Sequence, residues 1–196
     1  MSKIYNACNS TCHNFAANNQ QVKATDILDK YKQHTARWVQ ELERFPDDAF
    51  AKSVPGEWSV AQVADHIHHT TFKCVENAML CCDGKGERGR SGFGAAVFSF
   101  MGAFPPVRLR IKNIPPNTGN IYTPTAVSKE TAIANLLAAQ AQMEAAIARV
   151  DSADKNIRIA HWAGGWFNAL QWLHSAEMHI KHHFRQLARI KKALHR

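Results

Sequence analysis

Long apolar segments are missing from this 196-residue sequence. No run approaches the roughly 18 apolar residues that a membrane-spanning helix needs. The first residues, MSKIYNACNSTCHNF, also lack the charged-then-apolar layout of a secretory signal peptide. These absences argue against a membrane-embedded or secreted protein. We therefore expect a cytoplasmic protein with no membrane partner.

A disulfide framework is also missing, since the chain has five cysteines, an odd number. Cys74, Cys81 and Cys82 fall inside a helical pattern rather than between loops. That placement suits a reducing compartment better than an extracellular scaffold. We expect these three residues to be small core side chains.

Periodicity is missing from residues 1–20, which are polar and rich in Asn and Gln, so we predict an N-terminal tail followed by one domain over residues 21–196. Cys8, Cys12 and His13 lie in this tail. No second ligand pair follows them at zinc-finger spacing. The sequence therefore favours a frayed terminus over a metal site here.

Positive charge is abundant but not concentrated. The formal net charge of +8 and the pI of about 9.4 invite a nucleic-acid partner. However, the basic residues are scattered apart from two groups, and the second group lies in the last turns of a helix, where cations complement the helix dipole. We predict no nucleic-acid partner, while an anionic substrate stays open. The two groups are Arg88, Arg90, Arg108, Arg110 and Lys112, then Lys181, Arg185, Arg189, Lys191, Lys192 and Arg196.

Helical periodicity dominates the rest of the sequence and predicts four main helices. Capping boxes mark two of the starts, Ser59 with Gln62 and Asn168 with Gln171. The predicted ranges are about 25–45, 59–82, 127–150 and 168–194. The fold class is therefore all-α, a four-helix bundle with a long crossover between the second and third helices.

The connection at residues 83–125 is rich in Gly and Pro, with one candidate short helix at GAAVFSFMGAF. Connections of this length inside a compact domain are commonly lids or binding loops. We consider a substrate-side cover and, equally, an extended strap that packs its phenylalanines on the bundle.

Histidines are unusually frequent, with eleven in the chain. At about 100° per residue, His179 lies roughly 20° from Trp172 and His183 roughly 40° from Leu187 on the last helix, so both lie on one flank of its apolar stripe. His182 falls on the opposite, solvent side. On the second helix, His66 groups with the inward face and His69 with the outer face, and the wheel leaves His68 open.

Inward imidazoles at HxxxH spacing, with a third from another helix, can bind one divalent ion. Three protein ligands would leave an open position for water or substrate, as catalytic metals require. The alternative from spacing alone is a set of boundary histidines bonded to carbonyls or carboxylates. The spacing does not decide between these two interpretations.

Two motifs resemble the DinB-like superfamily. In GEWSVAQVADHIHHT, Trp58, Ser59 and His66 occupy the places of that superfamily's second-helix signature. The last helix looks like its HxxxH followed by a Gln, here His179, His183 and Gln186. The likeness extends from about residue 25 to the end, while the aromatic-rich GGWFNALQW departs from the commoner members and leaves the substrate open.

The resemblance implies a four-helix bundle, often a homodimer, with a divalent metal bound by His66, His179 and His183. Zinc or nickel is the expected ion, with iron or manganese as alternatives. Members include thiol S-transferases and proteins assigned as metal-dependent hydrolases. We therefore expect a hydrolase or thiol S-transferase acting on a small molecule, with a low-molecular-weight thiol as one candidate. The alternative is a non-catalytic, metal-stabilised bundle that serves as an interaction module.

Four further residues are candidates around this site. Gln186 could orient a ligand or be a surface residue, and Trp172 could line a cavity or pack in the core. His161, in a segment expected to be irregular, could be an acid–base group, an extra ligand or a loop-stabilising residue. Glu177 lies on the apolar stripe and should pair with a basic residue from another helix.

Overall fold

The part of the chain that the structure describes forms five helices and three short strands. The computed structural model describes residues 22–90, 121–161 and 165–195. The helices are α1 (Ala24–Glu43), α2 (Asp47–Phe50), α3 (Val60–Cys82), α4 (Lys129–Asp151) and α5 (Ala169–Leu194), and the strands are β1 (Glu87–Arg88), β2 (Ile157–His161) and β3 (Gly165–Phe167). The four long helices are those that the periodicity predicts, within about two residues at each end.

Both predicted capping boxes are present. The Ser59 hydroxyl accepts a hydrogen bond from the Gln62 amide at 3.2 Å, and the Gln62 side chain accepts one from the Ser59 amide at 3.0 Å. Asn168 and Gln171 exchange the same pair of bonds, each at 3.0 Å. These bonds satisfy amide groups that have no partner within the helix, and they fix where α3 and α5 begin.

Contacts at the helix ends give the direction of each helix. Near the start of α4, Lys129 donates to the carbonyl of Phe45, which follows the end of α1, at 2.6 Å. At the other end of α4, Arg149 pairs with Asp83, which follows α3. Helices α3 and α4 therefore run in the same direction, so the end of α3 and the start of α4 lie at opposite ends of the bundle. This arrangement is the predicted four-helix bundle with a long crossover.

The core fastens α5, which carries two of the candidate histidines, to α1. Trp38 is fully buried, donates from Nε1 to the Ile180 carbonyl at 3.1 Å and stacks on Phe184 with ring centroids 5.2 Å apart. Tyr31 of α1 is also fully buried and bonds Thr71 of α3 at 2.9 Å. These contacts hold three helices at fixed separations around the candidate site.

The segment before α5 is not irregular, as the sequence suggested, but forms a small antiparallel sheet in the order β1-β2-β3. Arg158 explains why, because this buried side chain donates to the Gly89 carbonyl and to Gln171 Oε1, both at 2.9 Å. The guanidinium thereby ties the sheet to the first turn of α5. Gly86 is required beside it, since a Cβ there would lie 2.5 Å from the Arg158 carbonyl oxygen. His161 consequently ends a strand.

The cysteine prediction is confirmed for the described part of the chain. Cys74 and Cys81 are buried, Cys82 is half-buried, and all three are free thiols. Burial raises the pKa of Cys74 to about 12 and that of Cys81 to about 11, so neither thiol ionises near neutral pH.

Several predictions lie outside the described residues. They include the tail at 1–20 with its Cys8, Cys12 and His13 run, and most of the 83–125 connection with its candidate short helix. Among the helices at 22–90, 121–161 and 165–195, none has the length and apolar character needed to cross a bilayer.

Candidate metal centre

Three imidazole rings converge between α3 and α5. His179 Nε2 lies 3.0 Å from His66 Nε2 and 3.1 Å from His183 Nε2. His66 and His183 are buried, and His179 is half-buried. One turn of α5 separates His179 from His183, so both rings point to the same side of that helix, as the helical wheel predicts.

The outer nitrogens of two of these rings are held by protein acceptors. His66 Nδ1 donates to the Ile121 carbonyl, near the end of the crossover, and the Trp58 ring packs against His66 with centroids 4.9 Å apart. His183 Nδ1 donates to Gln186 Oε1 at 2.8 Å. Second partners of this kind orient a metal-binding histidine, and an acceptor that cannot donate, such as the Ile121 carbonyl, also fixes its tautomer.

Counting protons shows that this arrangement suits a cation. A neutral imidazole has one N–H, and His66 and His183 use theirs at Nδ1, so both present an Nε2 lone pair to the centre. His179 Nε2 can carry at most one proton, so it cannot make a linear hydrogen bond to both lone pairs. At least one of the contacts near 3 Å therefore brings two nitrogen lone pairs together without a well-aligned proton between them. A tetrahedral metal with nitrogen ligands at about 2.0–2.1 Å would hold such atoms at a similar separation, about 3.3 Å.

Burial keeps the three rings neutral near pH 7. It lowers the pKa of His66 to about 4, although the Ile121 carbonyl and the Asp65 carboxylate act in the opposite direction. The pKa values of His179 and His183 lie well below the ordinary value, first because of burial and then because of the neighbouring imidazoles. Neutral imidazole is the form that binds metals, so the site needs no deprotonation to accept one.

A family model described as the DinB superfamily matches residues 30–187, most of the chain. The chain belongs to the DinB superfamily. This confirms the resemblance that the two histidine motifs carry, and membership together with the buried three-histidine group fits a metal-binding protein. Neither curated proteins nor solved structures give a significant match.

The structure shows what the residues of the two DinB superfamily motifs do. Trp58 packs on the ring of His66, and Ser59 caps the helix on which His66 lies two turns later. Gln186 accepts from His183 one turn further along α5. The motif residues therefore act together to orient two imidazoles.

Two other candidate residues, His161 at the end of β2 and Trp172 in the first turn of α5, pack against each other. His161 is buried and stacks on Phe167 with centroids 4.5 Å apart, and it also contacts Trp172 at 5.0 Å. Burial lowers the pKa of His161 to about 4. Its nitrogens are not among those that converge with His66, His179 and His183. His161 lies close enough to His179 to help lower its pKa, and the Trp172 ring packs on His161.

Three histidines that the wheel placed elsewhere or left open stay outside the centre. His182 is half-buried rather than on an open solvent face, because its ring lies edge-on to His183 with centroids 5.3 Å apart. His68 and His69 form a second group with Asp65 that could hold a metal. However, the Asp65 carboxylate already accepts the Thr125 amide at 2.8 Å and lies 3.3 Å from His69 Nε2, so this group fastens the end of the crossover to α3.

Glu177 has a partner from another helix, as expected for a buried carboxylate. Its Oε1 lies 3.0 Å from Nε2 of His34 on α1, and Oε2 lies 3.7 Å from Nε2 of His174. The pair joins α1 to α5 away from the three converging rings, which gives Glu177 a structural role.

Sequence reasoning missed three groups that touch or extend the site. They are the Ile121 carbonyl, the Glu57 carboxylate and the Arg189 guanidinium. Arg189 Nε lies 2.9 Å from Glu57 Oε1. A backbone carbonyl leaves no signal in side-chain periodicity. Glu57 lies in a turn, and the one sequence feature that could have pointed to it is its position directly before Trp58 of the motif.

A surface cavity of about 320 Å³ lies elsewhere, between the start of α1, the end of α4 and the start of α5. None of the three converging histidines lines it. Its shape therefore says nothing about the chemistry of the centre.

Metal-free protein is expected to lose stability as the pH falls from 7 to 5.5. An unfolded chain binds protons at histidines near pH 6.5, whereas the buried rings stay neutral in the folded protein. The contribution of the neutral rings to the free energy of unfolding is fully present above about pH 6.5. Below that pH it falls by up to roughly 1.4 kcal/mol per pH unit for each ring. Urea denaturation of chelator-treated protein at several pH values measures this slope.

A His161→Phe variant provides the control for this pH dependence. It removes another buried imidazole, whose pKa is lowered to about 4 by burial. The slope of stability against pH should therefore be shallower in this variant. A protein that is equally stable or more stable at pH 5.5 than at pH 7 would contradict this account.

Proposed function

We propose that this DinB superfamily protein is a metal-dependent enzyme, a hydrolase or thiol S-transferase, whose ion is held by His66, His179 and His183. One observation carries the proposal, namely that three Nε2 atoms meet without enough protons to bond one another. A divalent ion there would lower the pKa of water or a thiol and so supply a nucleophile near neutral pH.

The protein's own residues have defined tasks in this proposal. The Ile121 carbonyl holds the ring of His66 in one tautomer, and the Gln186 amide orients the ring of His183. His179 is the one of the three that is half-buried rather than buried, and we propose that substrate approaches from its side. His161 and Trp172 wall that region, exclude water and orient a small substrate, and an acid–base role for His161 belongs to the same proposal.

The histidine ligands narrow the choice of metal, whereas the substrate is proposed only as a class. Three imidazoles suit zinc and nickel and do not exclude iron or manganese. The substrate we propose is a small molecule, with a low-molecular-weight thiol as one co-substrate candidate. The proposal places the reaction in the cytoplasm, involves neither nucleic acid nor membrane, and allows a homodimer.

A non-catalytic role is the second candidate, because the same three rings join α3 to α5. An ion held there would cross-link two helices and stabilise the folded state by mass action. Such a module would gain stability from metal and show no turnover.

Removal of the metal is expected to abolish turnover. Activity with thiol co-substrates, or with ester and amide substrates, should fall by on the order of 100-fold or more after chelation, because the nucleophile loses its cation. Zinc or nickel should restore it. The measurement is a panel of such substrates with protein in its loaded, chelated and restored forms.

The matched control for this experiment is His182→Ala, which leaves all three converging rings in place. Activity that survives chelation would contradict the proposed function. Loaded protein that turns over no substrate, while metal raises its melting temperature, would favour the non-catalytic module.

A further inference from the structure

A hydrogen-bond relay runs from one of the three histidines to the protein surface. His183 Nδ1 lies 2.8 Å from Gln186 Oε1, and Gln186 Nε2 lies 3.3 Å from Glu57 Oε2. Glu57 Oε1 in turn lies 2.9 Å from Arg189 Nε. The Glu57 side chain is 9% exposed, so little solvent competes for it. We call these four residues the Glu57 relay.

The chemistry of its members fixes the direction of every bond in the relay. The guanidinium of Arg189 can only donate, and an ionised carboxylate can only accept. Glu57 therefore requires the NH₂ end of the Gln186 amide to face it. That orientation turns Oε1 towards His183, and an oxygen there requires His183 to carry its proton on Nδ1. The Nε2 lone pair of His183 is then left for the centre.

Without Glu57 this outcome is not determined. A glutamine amide presents its oxygen or its nitrogen to a neighbour after a simple flip, and a neutral imidazole carries its proton on either nitrogen. Gln186 alone accommodates both tautomers of His183. The direction of the hydrogen bonds is set at the far end of the relay, where Arg189 holds the Glu57 carboxylate.

We propose that Glu57 is a positioning residue for the three-histidine centre. Acting through Gln186, it holds His183 in the tautomer that can bind a metal, and Arg189 orients its carboxylate. This inference rests on the proposed metal site but adds a residue, on the turn before α3, whose link to His183 in the relay runs through Gln186.

A Glu57→Gln substitution should reverse the relay. Arg189 would bond the oxygen of the introduced amide, whose NH₂ group would then face Gln186. Gln186 would flip and donate to His183 Nδ1, so that His183 would carry its proton on Nε2, pointing into the centre. Zinc would then have to displace that proton and restore the tautomer.

Two measurements on the full chain test this reversal. Imidazole ¹⁵N NMR of chelator-treated protein should show His183 protonated on Nδ1 in the wild type and on Nε2 in Glu57→Gln. Competition with a chromophoric zinc chelator should show an affinity about 10–100-fold weaker in the variant, the range typical for loss of a partner behind a metal ligand.

A double variant distinguishes positioning from simple fastening of the turn to α5. In Glu57→Gln/Gln186→Glu, the carboxylate introduced at position 186 accepts from both His183 Nδ1 and the amide introduced at position 57. The Nδ1 tautomer and the zinc affinity should both return towards wild type. Glu41→Gln is the matched control, since it breaks another pairing to α5, that of Glu41 with Lys191, and should leave zinc affinity unchanged.

The outcomes separate this inference from the proposed function. If Glu57→Gln keeps the wild-type tautomer and zinc affinity, or if the double variant recovers neither, the Glu57 relay has no positioning role while the metal site stands. If wild-type protein binds neither zinc nor nickel, the proposed function fails, and the NMR comparison still decides whether Glu57 sets the tautomer of His183.

Discussion

His179→Ala is expected to abolish stoichiometric metal binding. His179 Nε2 is the atom that lies within 3.1 Å of both other imidazole nitrogens, so its removal leaves two ligands from different helices. Loss of a partner behind a ligand already costs about 10–100-fold in affinity, and loss of the ligand itself should exceed about 100-fold. Chelator competition, together with elemental analysis of protein purified without a His tag, measures the effect.

His182→Ala is the matched control for this prediction. It removes an imidazole from the same helix, three residues further along, whose ring touches His183 without being part of the converging group. Its zinc affinity should stay within a few-fold of wild type. Equal losses in the two variants would show that the helix-face assignment of the ligands is wrong.

Trp38→Ala is expected to have the largest effect on stability, lowering the free energy of unfolding by about 3–5 kcal/mol. Trp38 is fully buried, stacks on Phe184 and bonds the Ile180 carbonyl, which lies between His179 and His183 in sequence. The substitution leaves a large cavity between α1 and α5. Urea denaturation of chelator-treated protein measures the loss without a contribution from bound metal.

Two further variants separate the parts of this effect. Trp38→Phe keeps an aromatic ring in the core but loses the bond to Ile180, so we expect a smaller loss of about 1–2 kcal/mol. Trp166→Ala removes a Trp that is 37% exposed and should cost less than Trp38→Ala. If Trp38→Ala costs no more than Trp166→Ala, α1 does not hold α5 in the way described.

Much of the fold follows from local sequence signals. Ser59 with Gln62 and Asn168 with Gln171 define the starts of α3 and α5 because their side chains supply the bonds that the first turn lacks. The apolar stripes then give the buried faces. The direction of α4 follows less directly, since it depends on pairings such as Arg149 with Asp83 between residues far apart in sequence.

The small sheet could not be predicted in the same way. Its strands are two to five residues long, and β1 has no buried residue, so period-two alternation has no room to appear. Arg158 is an exception to the usual exposure of charged residues, because three acceptors from different segments surround it. Such a site exists only after the chain has folded.

The centre itself was partly predictable. Helical geometry brings His179 and His183 to one flank of α5 and places His66 on the inward face of α3, and the structure brings all three together. The geometry of one helix cannot show which groups approach from elsewhere. For that reason only the folded structure reveals the Ile121 carbonyl and the carboxylate of Glu57.

The most direct test of the central claim is anomalous diffraction from crystals of the full chain loaded with zinc or nickel. We predict one strong peak per chain, within about 2.0–2.3 Å of the Nε2 atoms of His66, His179 and His183. A peak bound by other residues, or no peak between these rings at saturating metal, would contradict it.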